Sequence, residues 1–342
     1  MLKKLASVIL CLSMLLVSFT GCGSTSQQQS SGKTTATAVD KFKGNPSKEY
    51  YMVTFLSGYP FWKECYRGFE DAGKLYGVKT VYGGSTEYDI NAAITALDQI
   101  IAKKPAGIAI SCMDATAYIP SINKAREAGI PVITFDSDSP KSKRFTYIGT
   151  QNYQAGAAAA RYIGQKLGGK GEVVAATSMG QTNIKERTQG FEETIKKEFP
   201  NIKVDQAIDA GNDQVTAANN VSNTLKKNAD LNYIFCGNQH SVVGSQKALQ
   251  EANMAGKVKI VGFDTDKTTL DAIKSGEVDA TISQAPWSEG YWAMNYLYFL
   301  SNELVNPVDD WQKKGYPAVP SSIDSGTTVV TKENYDAFYT SK

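Results

Sequence analysis

Histidine is almost missing from this sequence: one residue, His240, stands among 342. That scarcity excludes the usual multi-histidine metal sites and leaves no supported Ser–His–Asp triad. His240 itself is expected to cap or support a neighbour and not to act as a base. Cysteine is sparse as well, with 5 in all. Cys11 and Cys22 fall in the N-terminal segment. Cys65, Cys112 and Cys236 have neither metal nor redox spacing, and each sits in an apolar stretch that should bury an inert thiol. Charge bias is lacking too. Lys and Arg number 36 against 34 Asp and Glu, a net charge of +2, and no basic cluster is interleaved with aromatics, so nucleic acid is not an expected partner. Nor is there a phosphate loop. Residues 164–170 (GQKLGGK) imitate one, but Gly171 occupies the Ser/Thr position that must hold Mg²⁺, and the segment closes a helix. No G-x-G-x-x-G follows a strand. Ser121-x-x-Lys124 lacks the companion motifs of Ser–Lys hydrolases. The expectation is therefore a protein that is not an enzyme and carries no cofactor.

What is present begins with an apolar run. Residues 1–4 (MLKK) give a short positive start, Leu5 to Phe19 is nearly uncharged, and Thr20-Gly21-Cys22 supplies small residues ending on a cysteine. That is the order of a secretory signal, and the run is short of the ~20 apolar residues that a spanning helix needs. The segment resembles a bacterial lipoprotein signal, which implies that Cys22 is lipidated and becomes the mature N-terminus. Phe19 stands where such signals usually carry Leu. Residues 23–46 are rich in Ser, Thr, Gln and Gly with almost nothing to bury, and are expected to form a disordered tether.

The rest, with 42% apolar and 20% charged residues over the whole chain, has the composition of a globular protein too long for one core. Short β-rich runs alternate with helical spacings. Tyr50–Leu56 precedes a helix from Phe61 to Tyr76; GIAIS (107–111) and IPVITFD (130–136) follow with helices between; and the rhythm resumes through strands near 172–177, 203–208, 233–237, 258–263, 280–283 and 327–330. Continuous apolar strands alternating with helices predict an α/β fold of parallel sheets covered on both faces. Two such series predict two Rossmann-like lobes.

Open parallel sheets bind ligands beyond the carboxyl ends of their strands. Those positions hold Tyr59, Phe61 and Trp62; Asp136, Ser137 and Asp138; Arg187; Asn212; Asn238; Asp264; and Gln284. Aromatic rings stack on the C–H face of a sugar, while carboxylates, amides and a guanidinium bond its hydroxyls. A monosaccharide or polyol is the expected ligand.

In order along the chain, YPFW, IPVITFDSD, YIGTQNYQAG, KERTQGF, FCGN, VGFD and ATISQ resemble the type I periplasmic sugar-binding proteins of ABC importers, the ribose-binding group in particular. The resemblance implies a three-segment hinge, an N-terminal lobe of residues 47–150 plus 285–318, and a C-terminal lobe of 151–284 plus 319–342. It implies that Phe61 and Trp62 sandwich the sugar, and that Asp136, Arg187, Asn238, Asp264 and Gln284 contact it. Tyr59, Ser137 and Asn212 replace residues of the ribose-binding pattern, so ribose itself is not carried over. The implied partners are a sugar, the transmembrane subunits of an ABC permease and the membrane through the lipid anchor, with the chain a monomer outside the cytoplasm. A receptor for a signalling sugar shares the same pattern. A LacI-type regulator needs a DNA-binding helix pair where the signal and tether stand.

Overall fold

The structure, a computed structural model, describes residues 42–178, 180–228 and 230–339. The expected signal, Cys22 and most of the tether lie outside them.

The first series runs β1 (Glu49–Thr54), α1 (Pro60–Tyr76), β2 (Lys79–Gly84), α2 (Ile90–Ala102), β3 (Gly107–Ile110), α3 (Ile119–Glu127), β4 (Val132–Phe135) and β5 (Tyr147–Gly149). The second runs α4 (Asn152–Lys166), β6 (Gly171–Thr177), α5 (Thr182–Glu198), β7 (Ile202–Val204), β8 (Ile208–Asp209), α6 (Gln214–Lys227), β9 (Tyr233–Cys236), α7 (Gln239–Glu251), β10 (Lys259–Phe263), α8 (Lys267–Ser275) and β11 (Ala280–Ser283). The chain then adds α9 (Pro286–Ser301), β12 (Ser322–Asp324) and β13 (Thr328–Val330).

Two sheets result, ordered β12-β5-β4-β3-β1-β2 and β13-β11-β10-β9-β6-β7, with β8 also on β6. Their central pairings are parallel, and only β13 runs antiparallel, on β11. Strands β3 and β4 are buried along their whole length because helices cover both sheet faces. The apolar cores stay separate. One gathers β1, β3, β4, α1 and α9, and two others flank the second sheet.

Reciprocal glycines set the helix spacing in both halves. A Cβ on Gly68 would lie 1.9 Å from the Trp287 carbonyl oxygen, and one on Gly290 1.7 Å from that of Cys65, so α1 and α9 meet backbone to backbone. In the second half Gly156 would meet the Arg187 oxygen at 1.9 Å and Gly190 that of Tyr153 at 2.0 Å, locking α4 to α5.

The chain passes between the sheets after β5, after β11, and between β12 and β13. The last passage corrects an expectation. Residues from 319 were expected in the second lobe, yet β12 runs parallel to β5 in the first sheet. Arg144 Nη1 donates to the Ser321 carbonyl (2.9 Å), and the Ser325 N–H donates to that of Gly149 (2.9 Å), which holds this strand at both ends. The tether is also shorter at its C-terminal end than expected, since the Gly44 N–H donates to the Tyr76 carbonyl (2.7 Å). The strand expected near 203–208 is split into β7 and β8. The third helix begins at Ile119, because Asp114 turns the chain by accepting from the Thr116 and Ala117 amides and Pro120 opens the helix.

Candidate ligand-binding cleft

The segments that follow strand ends converge on one cavity between the two sheets. The first sheet contributes Phe55 and Leu56 after β1, Tyr88 after β2 and Asp136 after β4. The second contributes Gln181 and Asn183 after β6, Asn212 after β8, Asn238 and His240 after β9, Asp264 after β10 and Gln284 after β11. Helix α1 adds Phe61 and Trp62 from its first turn, with Tyr59 at its N-cap, and α5 adds Ile184 and Arg187.

Three of these residues hold left-handed backbone at a strand end: Leu56 (φ 51°), Asp136 (φ 54°) and Asp264 (φ 74°). Asp tolerates that region better than most residues, and strain of this kind collects at functional sites. At Asp136 the turn is tight. The Ser137 N–H bonds back to the Phe135 carbonyl, two residues away (2.5 Å), so one carboxyl is aimed at the cavity and the chain then veers off.

Arg187 is the hub. Its side chain is buried, with Nε donating to Asn152 Oδ1 (2.8 Å), Nη1 to the Gly237 carbonyl (3.1 Å) and Nη2 to Gln284 Oε1 (2.6 Å). The guanidinium lies 4.2 Å from the Phe263 ring centroid. Gln284 in turn donates to Asp264 Oδ1 (2.7 Å), and Ser111 Oγ donates to Asp136 Oδ2 (3.0 Å). Burial pushes the Asp136 carboxyl up to about 6 against the opposing pull of Arg187, and burial likewise raises Asp264. Two buried carboxyls, one from each sheet, thus feel the charge of the same guanidinium.

The aromatic wall is built of edge contacts. Trp62 meets Phe61 at 5.1 Å and 83° and Phe55 at 5.3 Å and 75°, and its indole Nε1 is buried without a hydrogen-bond partner. Across the cavity Tyr59 packs on His240 (5.3 Å, 32°) and Gln181 Nε2 donates to the Tyr88 hydroxyl (2.8 Å). Burial lowers the His240 pKa, which favours a neutral ring.

Two lobes of parallel sheet, chain passages between them and a cavity at their strand ends form one architecture. The Periplasmic binding protein domain family matches residues 50–303. The chain belongs to that family. Among solved structures, the arabinose-binding protein AraP of Geobacillus stearothermophilus is 41% identical, with a TM-score of 0.79 over 86% of this chain and 100% of that one. A sugar ABC transporter (sugar-binding) protein of Bacillus halodurans is also 41% identical, with a TM-score of 0.81 over 85% of this chain and 100% of that one. The ribose import binding protein RbsB of Bacillus subtilis (strain 168) is 28% identical over 83% of this chain and 89% of its own length.

For this family member the residues expected at strand ends divide in two. Tyr59, Phe61, Trp62, Asp136, Arg187, Asn212, Asn238, Asp264 and Gln284 line the cavity. Ser137 and Asp138 do not, because the tight turn at Asp136 carries them past it. Ser137 is buried elsewhere, and Asp138 accepts from Arg144 through both carboxylate oxygens and from Thr134 Oγ1. Asn238 reaches the cavity while capping α7, where it accepts from the Ser241 amide (3.0 Å) and donates to Ser178 Oγ (2.8 Å). His240, expected as a capping or supporting residue, instead forms part of the wall. Phe55, Leu56, Tyr88, Gln181, Asn183 and Ile184 complete the cavity without having been singled out as ligand residues. Tyr88 and Gln181 sit several residues past their strands, beyond where a strand-end reading looks. Among the described residues no group of His, Cys, Asp and Glu could hold a metal ion, and no helix is long and apolar enough to cross a membrane.

Proposed function

We propose that this chain is an extracytoplasmic solute-binding lipoprotein that captures a monosaccharide or sugar alcohol and delivers it to the permease of an ABC importer. The observation that carries it is the convergence of Asp136, Asp264 and Arg187 with Phe61 and Trp62 on one cavity. A sugar ring presents C–H faces to aromatics and vicinal hydroxyls to such a charged cluster. Arg187 commits three N–H groups to the protein, and a guanidinium has five, so donors remain for a ligand. The ligand residues are those of the cavity wall, with Tyr59 and His240 closing one side. Relatives named for arabinose and ribose make a pentose the first class to test. Tyr59 and Asn212 depart from the ribose-binding pattern, so ribose is not presumed.

The mechanism is hinge closure. Sugar docks on one lobe and the other rotates over it about the chain passages, burying its hydroxyls. Selectivity then follows from unmatched partners, each costing ~1–3 kcal/mol. The role is capture and transfer without chemical change, and the lobe boundaries run through the passages after β5, after β11 and before β13. Lipidation of Cys22 would hold the body at the outer face of the cytoplasmic membrane.

A thermal-shift screen against pentoses, hexoses and polyols tests the binding role. At ~100 Kd one sugar should stabilise the protein by ~2.7 kcal/mol, and Arg187→Ala should abolish that shift. No response from any of these compounds would sink the role. For the anchor, labelled fatty acid should appear on the wild-type protein and be lost in Cys22→Ser. Equal labelling of both would remove Cys22 from the account.

A further inference from the structure

The three passages between the sheets are linked by a chain of contacts that includes one buried carboxyl. Glu289 lies in the first turn of α9, just beyond the second passage, and is 0% exposed. Its Oε1 accepts from Ser325 Oγ (3.1 Å), in the third passage. The Ser325 N–H donates to the Gly149 carbonyl (2.9 Å), where the first passage begins. In that first passage Thr150 Oγ1 donates to Gln284 Oε1 (3.0 Å), which belongs to the second. Gln284 is also the side chain that receives Arg187 and donates to Asp264 in the cavity. Contacts among Gly149, Thr150, Gln284, Glu289 and Ser325 therefore run through all three passages and open onto the binding cleft at Gln284.

We propose that Glu289 is the positioning residue that holds the three hinge segments in register, so that the cleft closes to one geometry. The proposal rests on the binding role given above. Its chemistry follows from the surroundings. Oε2 is buried without a partner. The ionisable groups facing the carboxyl are Asp136 from the end of β4, Asp264 from the end of β10, Arg187 from α5, Cys65 from α1 and Tyr147 from β5. Burial first, then Asp136, hold the Glu289 carboxyl well above the usual range, with Arg187 opposing. Glutamine has the same shape and keeps an oxygen that can accept from Ser325; alanine removes that acceptor.

Hydrogen exchange on the sugar-free full chain tests this directly through the Ser325 amide. Glu289→Ala should lower the protection of that amide at least tenfold, and Glu289→Gln should keep it within twofold of wild type. Ser325→Ala, at a half-buried position, removes the same bond without touching α9 and should loosen residues 284–289. With L-arabinose as the calorimetric probe, Glu289→Ala should bind at least tenfold more weakly and Glu289→Gln as wild type. Unchanged protection in both Glu289→Ala and Ser325→Ala overturns the proposal, as does a Gln variant as impaired as the Ala variant. If L-arabinose binds none of the proteins, the choice of sugar fails, and the exchange data still decide the hinge.

Discussion

Asp136 concentrates several costs in one residue: a left-handed backbone, a tight turn, full burial and a second carboxyl nearby at Asp264. A sugar hydroxyl donating to its carboxylate favours the charged form, so binding lowers the pKa that burial had raised to about 6. Ligand binding must then release a proton below pH 6, and affinity should fall as pH drops through that value, by up to tenfold per unit. Titrations with the bound sugar between pH 5 and 7.5 read this directly. Asp136→Asn should bind weakly and without that acid limb. A wild-type affinity that stays level down to pH 5 would mean that Asp136 meets the ligand as a neutral acid. The sugar-free protein should respond in the opposite sense. A folded pKa above the unfolded value stabilises the protonated form, so this group's contribution is full below the unfolded pKa, near 4, and is lost as pH rises through 6.

At the scale of elements, Arg187 depends on two glycines that touch no ligand. Gly156 lets α4 approach the Arg187 backbone, and Gly190 returns the contact. Gly156→Ala must push α5 outward by the width of a methyl group, at a cost of ~1–3 kcal/mol for overpacking, and should weaken sugar binding by moving the guanidinium from the cleft. Gly68→Ala should cost a similar amount through α1 and α9 while leaving Arg187 in place. Gly58→Ala, which meets nothing within 4 Å, is the control. Melting temperatures and affinities of the three variants separate these effects, and an unperturbed Gly156→Ala would show that α4 and α5 slide freely. None of this was legible in the sequence, where a helix-interior glycine records only a missing side chain. The strand rhythm was legible, because β3 and β4 are buried on both faces and must be apolar throughout. So were Asp136, Asp264 and Gln284, which follow buried strands directly. Ser137 and Asp138 misled because a two-residue hydrogen bond turns the chain at Asp136. Strand β12 was missed because its one apolar residue, Ile323, lies between polar neighbours and is held by Arg144 and Gly149 from distant parts of the chain.

At the scale of the whole molecule, the two halves keep separate apolar cores. The core of the first sheet and those of the second share no buried residue. Among the described residues they are joined by peptide at three passages and by contacts that include Thr150–Gln284, Glu289–Ser325, and the Tyr59–His240 and Tyr88–Gln181 pairs across the cleft. Such contacts contribute roughly 0.5–1.5 kcal/mol each, far less than the burial that stabilises either core. In the proposed site a sugar would be held at once by Asp136 from the first sheet and by Arg187 and Asp264 from the second, and would add its binding free energy to the coupling and to neither core alone. Scanning calorimetry should therefore show a broadened or double transition without sugar, with a van't Hoff enthalpy below the calorimetric one. Saturating sugar should merge it into a single sharper transition at higher temperature. A single sugar-free transition with equal enthalpies would mean that the hinge contacts alone bind the lobes into one cooperative unit, and that closure is not where the ligand's free energy goes.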